Sequence, residues 1–167
     1  MGLFTPESLE FLEAHHGIAS VDVLTTLGLS PFTIRRLVEA GNLESVLRGV
    51  YRMPAVPLDE AARSAAVCAA HPEVVISGPT AGRLWGLRRL PRDERIHVLA
   101  PPGARPTTNR WVAPHRTPAV HDRDRVVRPD GIVVTSRPRT ALDLARSVGP
   151  IDLLSIIEQV MHDGRHG

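Results

Sequence analysis

Residues 30–54, "SPFTIRRLVEAGNLESVLRGVYRMP", decide how the front of this chain is read. Ser30 followed by Pro31 is a helix start. The serine hydroxyl caps an orphan N–H of the first turn, and proline's fixed φ suits the first helical position, where its missing N–H is not needed. The helix runs from Pro31 to Ala40 and stops at Gly41–Asn42. At about 100° per residue, Ile34, Leu37 and Val38 share one arc, while Phe32, Arg35, Arg36 and Glu39 share the opposite one. The next stretch, "LESVLRGVYRM", alternates and turns at Arg48–Gly49, which predicts a hairpin whose glycine supplies the turn's backbone angles.

Working outward, Pro6–His15 reads as an amphipathic helix with Leu9, Phe11 and Leu12 inward and glutamates outward, ended by Gly17. Ser20 caps a second short helix, Val21–Leu27, which Gly28 breaks. Helix, helix, turn, helix, hairpin is the order of a winged helix-turn-helix. In that architecture Thr33, Arg35 and Arg36 face the major groove, while Arg48, Tyr51 and Arg52 belong to the hairpin that meets the sugar–phosphate backbone. Each arginine also has a plainer reading. Arg35 and Glu39 are spaced for an i,i+4 surface pair of about 0.2–0.5 kcal/mol, and Arg48 and Arg52 suit an edge strand that repels neighbours. The DNA reading is preferred because four arginines fall at the two places where a winged helix touches a duplex. Phe32 has two readings, tucked beneath the hairpin or set against a thymine methyl.

A chain of 167 residues holds one sizeable core or two small ones, and two lobes are expected. The composition, 43% hydrophobic and 23% charged, is that of a folded protein. All 20 basic residues are arginine, so no chemistry here uses a lysine ammonium. The net charge of +2 does not force polyanion binding, but its distribution is uneven. Residues 58–128 carry 12 arginines against 7 acids, whereas the flanking segments are slightly acidic. The single cysteine, Cys68, sits in the alanine-rich run "AARSAAVCAA" and reads as a small apolar residue. No signal peptide or apolar span of about 20 residues is recognised, and Pro6 stands where a myristoylation signal wants Ser or Thr, so a cytoplasmic protein is expected.

Pro54–Pro57 is the expected joint, giving residues 1–56 as the winged helix-turn-helix and 57–167 as a small α+β domain with a mostly antiparallel sheet. Its elements are a helix over Leu58–Ala70, strands at Val74–Ser77, Arg95–Ala100, around Trp111–His115, Arg125–Arg128 and Ile132–Thr135, and helices at "PTAGRLWG", "RTALDLARSV" and Ile151–His162. The basic run "RLWGLRRLPRDER" offers Arg83, Arg88 and Arg89 as secondary phosphate contacts. The preferred reading is a solvated face balanced by Asp93 and Glu94.

Enzyme patterns fail one by one. Asp122-x-Asp124 suggests a nucleotidyltransferase carboxylate pair, but the glycine–serine phosphate turn is absent. A restriction-type nuclease wants a catalytic lysine, and there is none. The eight histidines lack a zinc spacing, and no G-x-S-x-G elbow occurs. A non-enzyme without metal or cofactor is expected. The rival of another class is a protein-interaction module whose arginines dock an acidic partner or toxin.

The order "RRLVEAGNLESVLRGVYRMP", "ISGPTAGRLWGL", "GIVVTSRPRTALDLARSVG" resembles the AbiEi-family antitoxins of type IV toxin–antitoxin and abortive-infection systems, over roughly residues 15–160. The resemblance implies a winged helix that binds inverted repeats in its own operon promoter and represses it. It also implies a functional partner, a nucleotidyltransferase-like toxin counteracted without a stable complex. Family chains usually continue beyond a segment like "IDLLSIIEQVMHDGRHG", some with a further antitoxin region and others with a nuclease-like domain. The second domain is therefore expected to be C-terminally incomplete, with an N-terminal fragment of a nuclease-fused relative as the alternative.

Overall fold

Two reciprocal hydrogen bonds start the first helix, α1 (Pro6–Ala14). The Ser8 amide donates to Thr5 Oγ1 at 3.1 Å and the Thr5 amide donates to Ser8 Oγ at 3.0 Å, so two orphan donors are satisfied at once. The computed structural model describes residues 4–106 and 111–163. It divides into two compact units, Met1–Pro72 with Pro129–Ile132, and Glu73–Arg128 with Val133–Gly167.

In the first unit α1 is followed by β1 (Ile18–Ser20), α2 (Val21–Thr26), α3 (Pro31–Glu39), β2 (Glu44–Leu47), β3 (Val50–Arg52) and α4 (Glu60–Ala70). The serine caps lie where the sequence puts them. Ser20 Oγ accepts from the Val23 amide at 3.2 Å, and Ser30 Oγ from the Thr33 amide at 3.1 Å. Strand β1 was not expected. It pairs antiparallel with β3, which pairs antiparallel with β2, so β3 is central in a three-stranded sheet. The hairpin turns at Arg48–Gly49, with Gly49 at φ 72, a left-handed conformation that disfavours a Cβ. A bulge between Ser45 and Leu47 leaves Val46 without a partner in β3.

Alternation gives this sheet two faces. Ala19 and Tyr51 pack on a core of Leu12, Leu24, Leu29, Ile34, Leu37 and Leu43 contributed by the helices and the turns on either side of α3. Ile18, Leu47 and Val50 point the other way and are buried. Helix α4 lies against all three strands, and its buried alanines allow a close approach. The stretch expected as the joint, residues 54–57, therefore lies inside this unit. It is held there by Arg52 Nη1, which donates to the Val56 carbonyl at 3.1 Å, and by the Met53 amide, which donates to the Gly17 carbonyl at 2.9 Å.

The second unit contains β4 (Val75–Ile76), α5 (Gly78–Leu84), β5 (Ile96–Ala100), β6 (Val112–Arg116), a 3-10 turn at Asp122–Asp124, β7 (Arg125–Val127), β8 (Val133–Thr135), α6 (Arg137–Leu144) and α7 (Pro150–Asp163). Its sheet runs in the order β6-β5-β4-β8-β7. The expectation of a mostly antiparallel sheet is corrected. The pairs β4–β5 and β7–β8 are antiparallel, but β5–β6 and β4–β8 are parallel, so the sheet is mixed. The chain after β5 returns to the strand's starting end before β6, and β4 meets β8 only after a long excursion; both connections bring strands together in the same direction. Helices α5, α6 and α7 pack through Leu87, Ala141, Leu144 and Ile156, with Trp85, Leu90, Val148 and Val160 at the margin. Gly82 on α5 makes room for Leu90, whose δ-carbons would lie 2.9 Å from an added Cβ. Trp85 Nε1 donates to the Thr135 carbonyl at 2.8 Å, fixing the end of α5 to β8. Among the described residues, seven α-helices with one antiparallel and one mixed sheet make the fold α+β.

Candidate nucleic-acid interface

Helix α3 is anchored by Ile34 and Leu37, both buried, and exposes Phe32, Arg35, Arg36 and Glu39. Among the described residues, Arg35, Arg36 and Glu39 make no ion pair or side-chain hydrogen bond, so the i,i+4 pairing of Arg35 with Glu39 does not form. Phe32 is not folded beneath the hairpin; it is 65% exposed. Val38, expected on the buried arc, sits at its edge and is 37% exposed.

The remaining residues expected at the interface divide into three environments. Arg48 is exposed at the hairpin turn and, among the described residues, has no partner. Thr33 is half-buried and built into the helix start, its hydroxyl 2.9 Å from Ser30 Oγ. Tyr51 is half-buried against the core because its position in the central strand turns it inward. Arg52 is committed elsewhere. Its Nη2 donates to Glu44 Oε2 at 2.7 Å and its Nη1 to the Val56 carbonyl, while Nε is buried without a partner. That guanidinium ties β3 to β2 and to the turn that follows, and is not presented to a ligand.

In the second unit, the basic run around Arg83 is largely paired within itself. Arg83 donates to the carbonyls of Pro91 (3.2 Å) and Asp93 (2.8 Å), which holds the loop after α5. Arg89 Nη1 lies 3.3 Å from Asp152 Oδ1, and Arg95 pairs with Asp93 at 2.7 Å. The Arg88 side chain is exposed, while its amide donates to Gln159 Oε1 at 3.0 Å. Arg137 stands over the Trp85 ring at 5.1 Å, a cation–π contact. Arg139 bridges Asp143 (3.0 Å) and Asp124 (3.2 Å), so Asp124 of the Asp-x-Asp pair is an ion-pair partner. No cluster of three or more metal-ligating side chains occurs among the described residues.

One constellation was not legible in the sequence. Parallel pairing of β5 with β6 brings His97 Nδ1 to 2.9 Å from His115 Nε2, with the rings stacked at 5.1 Å. His97 Nε2 lies 3.1 Å from Asp93 Oδ2, but off the line a hydrogen bond requires, so this buried nitrogen has no aligned partner. Hydrogen bonds from Arg95 hold the Asp93 carboxyl well below the usual carboxylate range. Burial holds the His97 imidazole below its ordinary value, against the attraction of Asp93. The two histidines border a cavity of about 460 Å³ that also meets Arg116, Arg139, Asp143 and Arg146. The hydroxyls on its wall are occupied: Thr117 Oγ1 donates to the Ala119 carbonyl and Ser147 Oγ to the Leu144 carbonyl.

Residues 6–54, which include the exposed face of α3 and the whole hairpin, match the family described as "Transcriptional regulator, AbiEi antitoxin". The match is confined to this segment, which is similar to the AbiEi antitoxins. The family is regulatory, and the AbiEi segment comprises α1–α3 and the three-stranded sheet of the first unit. No curated protein matches the chain. Among solved structures, the RV2827C protein from Mycobacterium tuberculosis shares the fold, with a TM-score of 0.57 and 21% identity over 87% of this chain and 62% of that one. The present chain thus spans about three fifths of that protein's length. No helix among the described residues is long and apolar enough to cross a membrane.

Proposed function

We propose that the AbiEi segment is a winged helix-turn-helix that binds double-stranded DNA, with α3 as the recognition helix and the β2–β3 hairpin as the wing. The observation that carries this reading is the state of three guanidinium groups. Arg35 and Arg36 on α3 and Arg48 at the hairpin turn are exposed and, among the described residues, unpaired. An arginine without an acidic neighbour keeps its full charge and its fork of donors for an outside partner. Arg35 and Arg36 then read base edges, where a bidentate contact to guanine discriminates by about 1–3 kcal/mol. Arg48 neutralises a phosphate and adds affinity without sequence information. Thr33, Tyr51 and Arg52 support the interface through the helix start, the core and the hairpin. Arg83 and Arg89 are engaged by partners within the second unit, so no DNA contact is assigned to that basic stretch.

The AbiEi match supports a regulator of its own operon, acting at inverted repeats in the promoter as the antitoxin of a type IV system. Its functional partner is then a nucleotidyltransferase-like toxin, opposed in the cytoplasm without a lasting complex. The test is a gel-shift titration on the duplex upstream of the chain's own reading frame against a random duplex of equal length. Arg35→Ala and Arg36→Ala should abolish the preference for the upstream duplex, and Arg48→Ala should weaken both. Variants that all bind like the parent would reject the assignment.

A further inference from the structure

We infer that Phe32 reads the 5-methyl group of a thymine in the sequence bound by α3, an inference that rests on the DNA-binding reading above. Phe32 is 65% exposed, more than any other large hydrophobic side chain described in the first unit. It follows Pro31 in the first turn of α3 and lies on the arc of Arg35 and Arg36, three and four residues on. Side chains on a helix lean toward its N-terminus, so the ring stands at the leading end of the arginine face. That end of a recognition helix is where base contacts are made.

Chemistry narrows what the ring can meet there. A phenyl group cannot pair with phosphate, and leaving it in water forgoes the gain of burying it. Its two nearest neighbours on the face are uncompensated cations, so the apolar partner that suits it best is one carried on an anionic scaffold. In the major groove of B-DNA the thymine 5-methyl is the apolar group displayed among hydrogen-bonding edges, flanked on both sides by phosphate. Thr33, which also carries a methyl, is half-buried with its hydroxyl against Ser30, and leaves that position to the phenyl ring. Phe32 therefore adds discrimination without adding to the salt dependence of binding.

The experiment begins with a duplex selected by the whole chain from a random library, after which each thymine is replaced singly by deoxyuridine. Phe32→Ala and Phe32→Leu are titrated on the same set, with thermal melting to verify that both variants fold like the parent. One thymine-to-deoxyuridine change should weaken the parent about three- to tenfold, the worth of roughly one buried methyl group. Phe32→Ala should lose the same factor on the thymine duplex and be indifferent to that change, while Phe32→Leu keeps part of the sensitivity. A parent that binds its selected duplex but tolerates deoxyuridine at every position overturns the inference and leaves the DNA-binding reading standing. So does a Phe32→Ala variant that stays as sensitive to the change as the parent. A parent that enriches no duplex overturns both.

Discussion

Arg35, Arg36 and Arg52 carry one functional group in two kinds of surroundings, and their substitutions should separate accordingly. Arg35→Ala and Arg36→Ala remove exposed, unpaired side chains, so the unfolding free energy should change by less than about 0.5 kcal/mol while specific DNA binding is lost. Arg52→Ala removes two hydrogen bonds to Glu44 and Val56, and should lower stability by about 1–2 kcal/mol in a denaturant titration. The sequence showed four arginines in suitable places. It did not show which one the hairpin itself uses, because that depends on Glu44 standing across from Arg52 in the register of β2 and β3. His97 gives the residue-scale prediction for pH. Burial lowers its folded value below the ordinary 6.5, Asp93 opposes this, and His115 and Arg95 reinforce it. The unfolded chain therefore takes up the proton first, and stability should fall as pH drops below about 6.5 until the folded imidazole is itself protonated. Asp93 acts in a lower window: with its folded value depressed from 3.8, its contribution is present above that pH and is lost below it. Melting temperatures from pH 7.5 to 5.5 should decline for the parent and much less for His97→Gln.

At the scale of elements, helix starts were the most legible features because their chemistry is local. Ser20, Ser30 and Ser136 each accept from an amide three residues on, as the sequence pattern implies. Ser30→Ala should cost about 1 kcal/mol, measurable by chemical denaturation, and should loosen the end of α3 proposed to face DNA. Strand β1 escaped notice because three residues between two helices are too few to show alternation. The mixed sheet escaped because parallel pairing of β5 with β6 joins segments whose register no local signal records. The same gap hid the approach of His97 to His115. Gly82, in the "TAGRLWGL" motif, has a measurable role in packing. Gly82→Ala would set a methyl group 2.9 Å from the Leu90 δ-carbons and should destabilise the second unit by about 1–3 kcal/mol.

For the whole molecule, charge placement matters more than its sum. A net charge of +2 gives little general attraction for polyanions, so the salt dependence of binding should come from a few contacts. Arg48→Ala should reduce the slope of log affinity against log salt by about one unit. If two copies occupy an inverted repeat, footprinting should show half-sites centred about 10 bp apart or a multiple of that. Division at residues 54–57 was suggested by the prolines, yet the first unit continues through α4 to Pro72 and also takes in residues 129–132. Proline enrichment marks a break in regular structure, which here is a turn tied down by Arg52.

Val46 carries a consequence for how the hairpin tolerates change. Glu44, Ser45 and Leu47 would face Arg52, Tyr51 and Val50 equally well if the unmatched residue between them were missing. A variant lacking Val46 should therefore close the same loop with its arginine still at the apex, whereas deleting a paired strand residue would exchange the inner and outer faces.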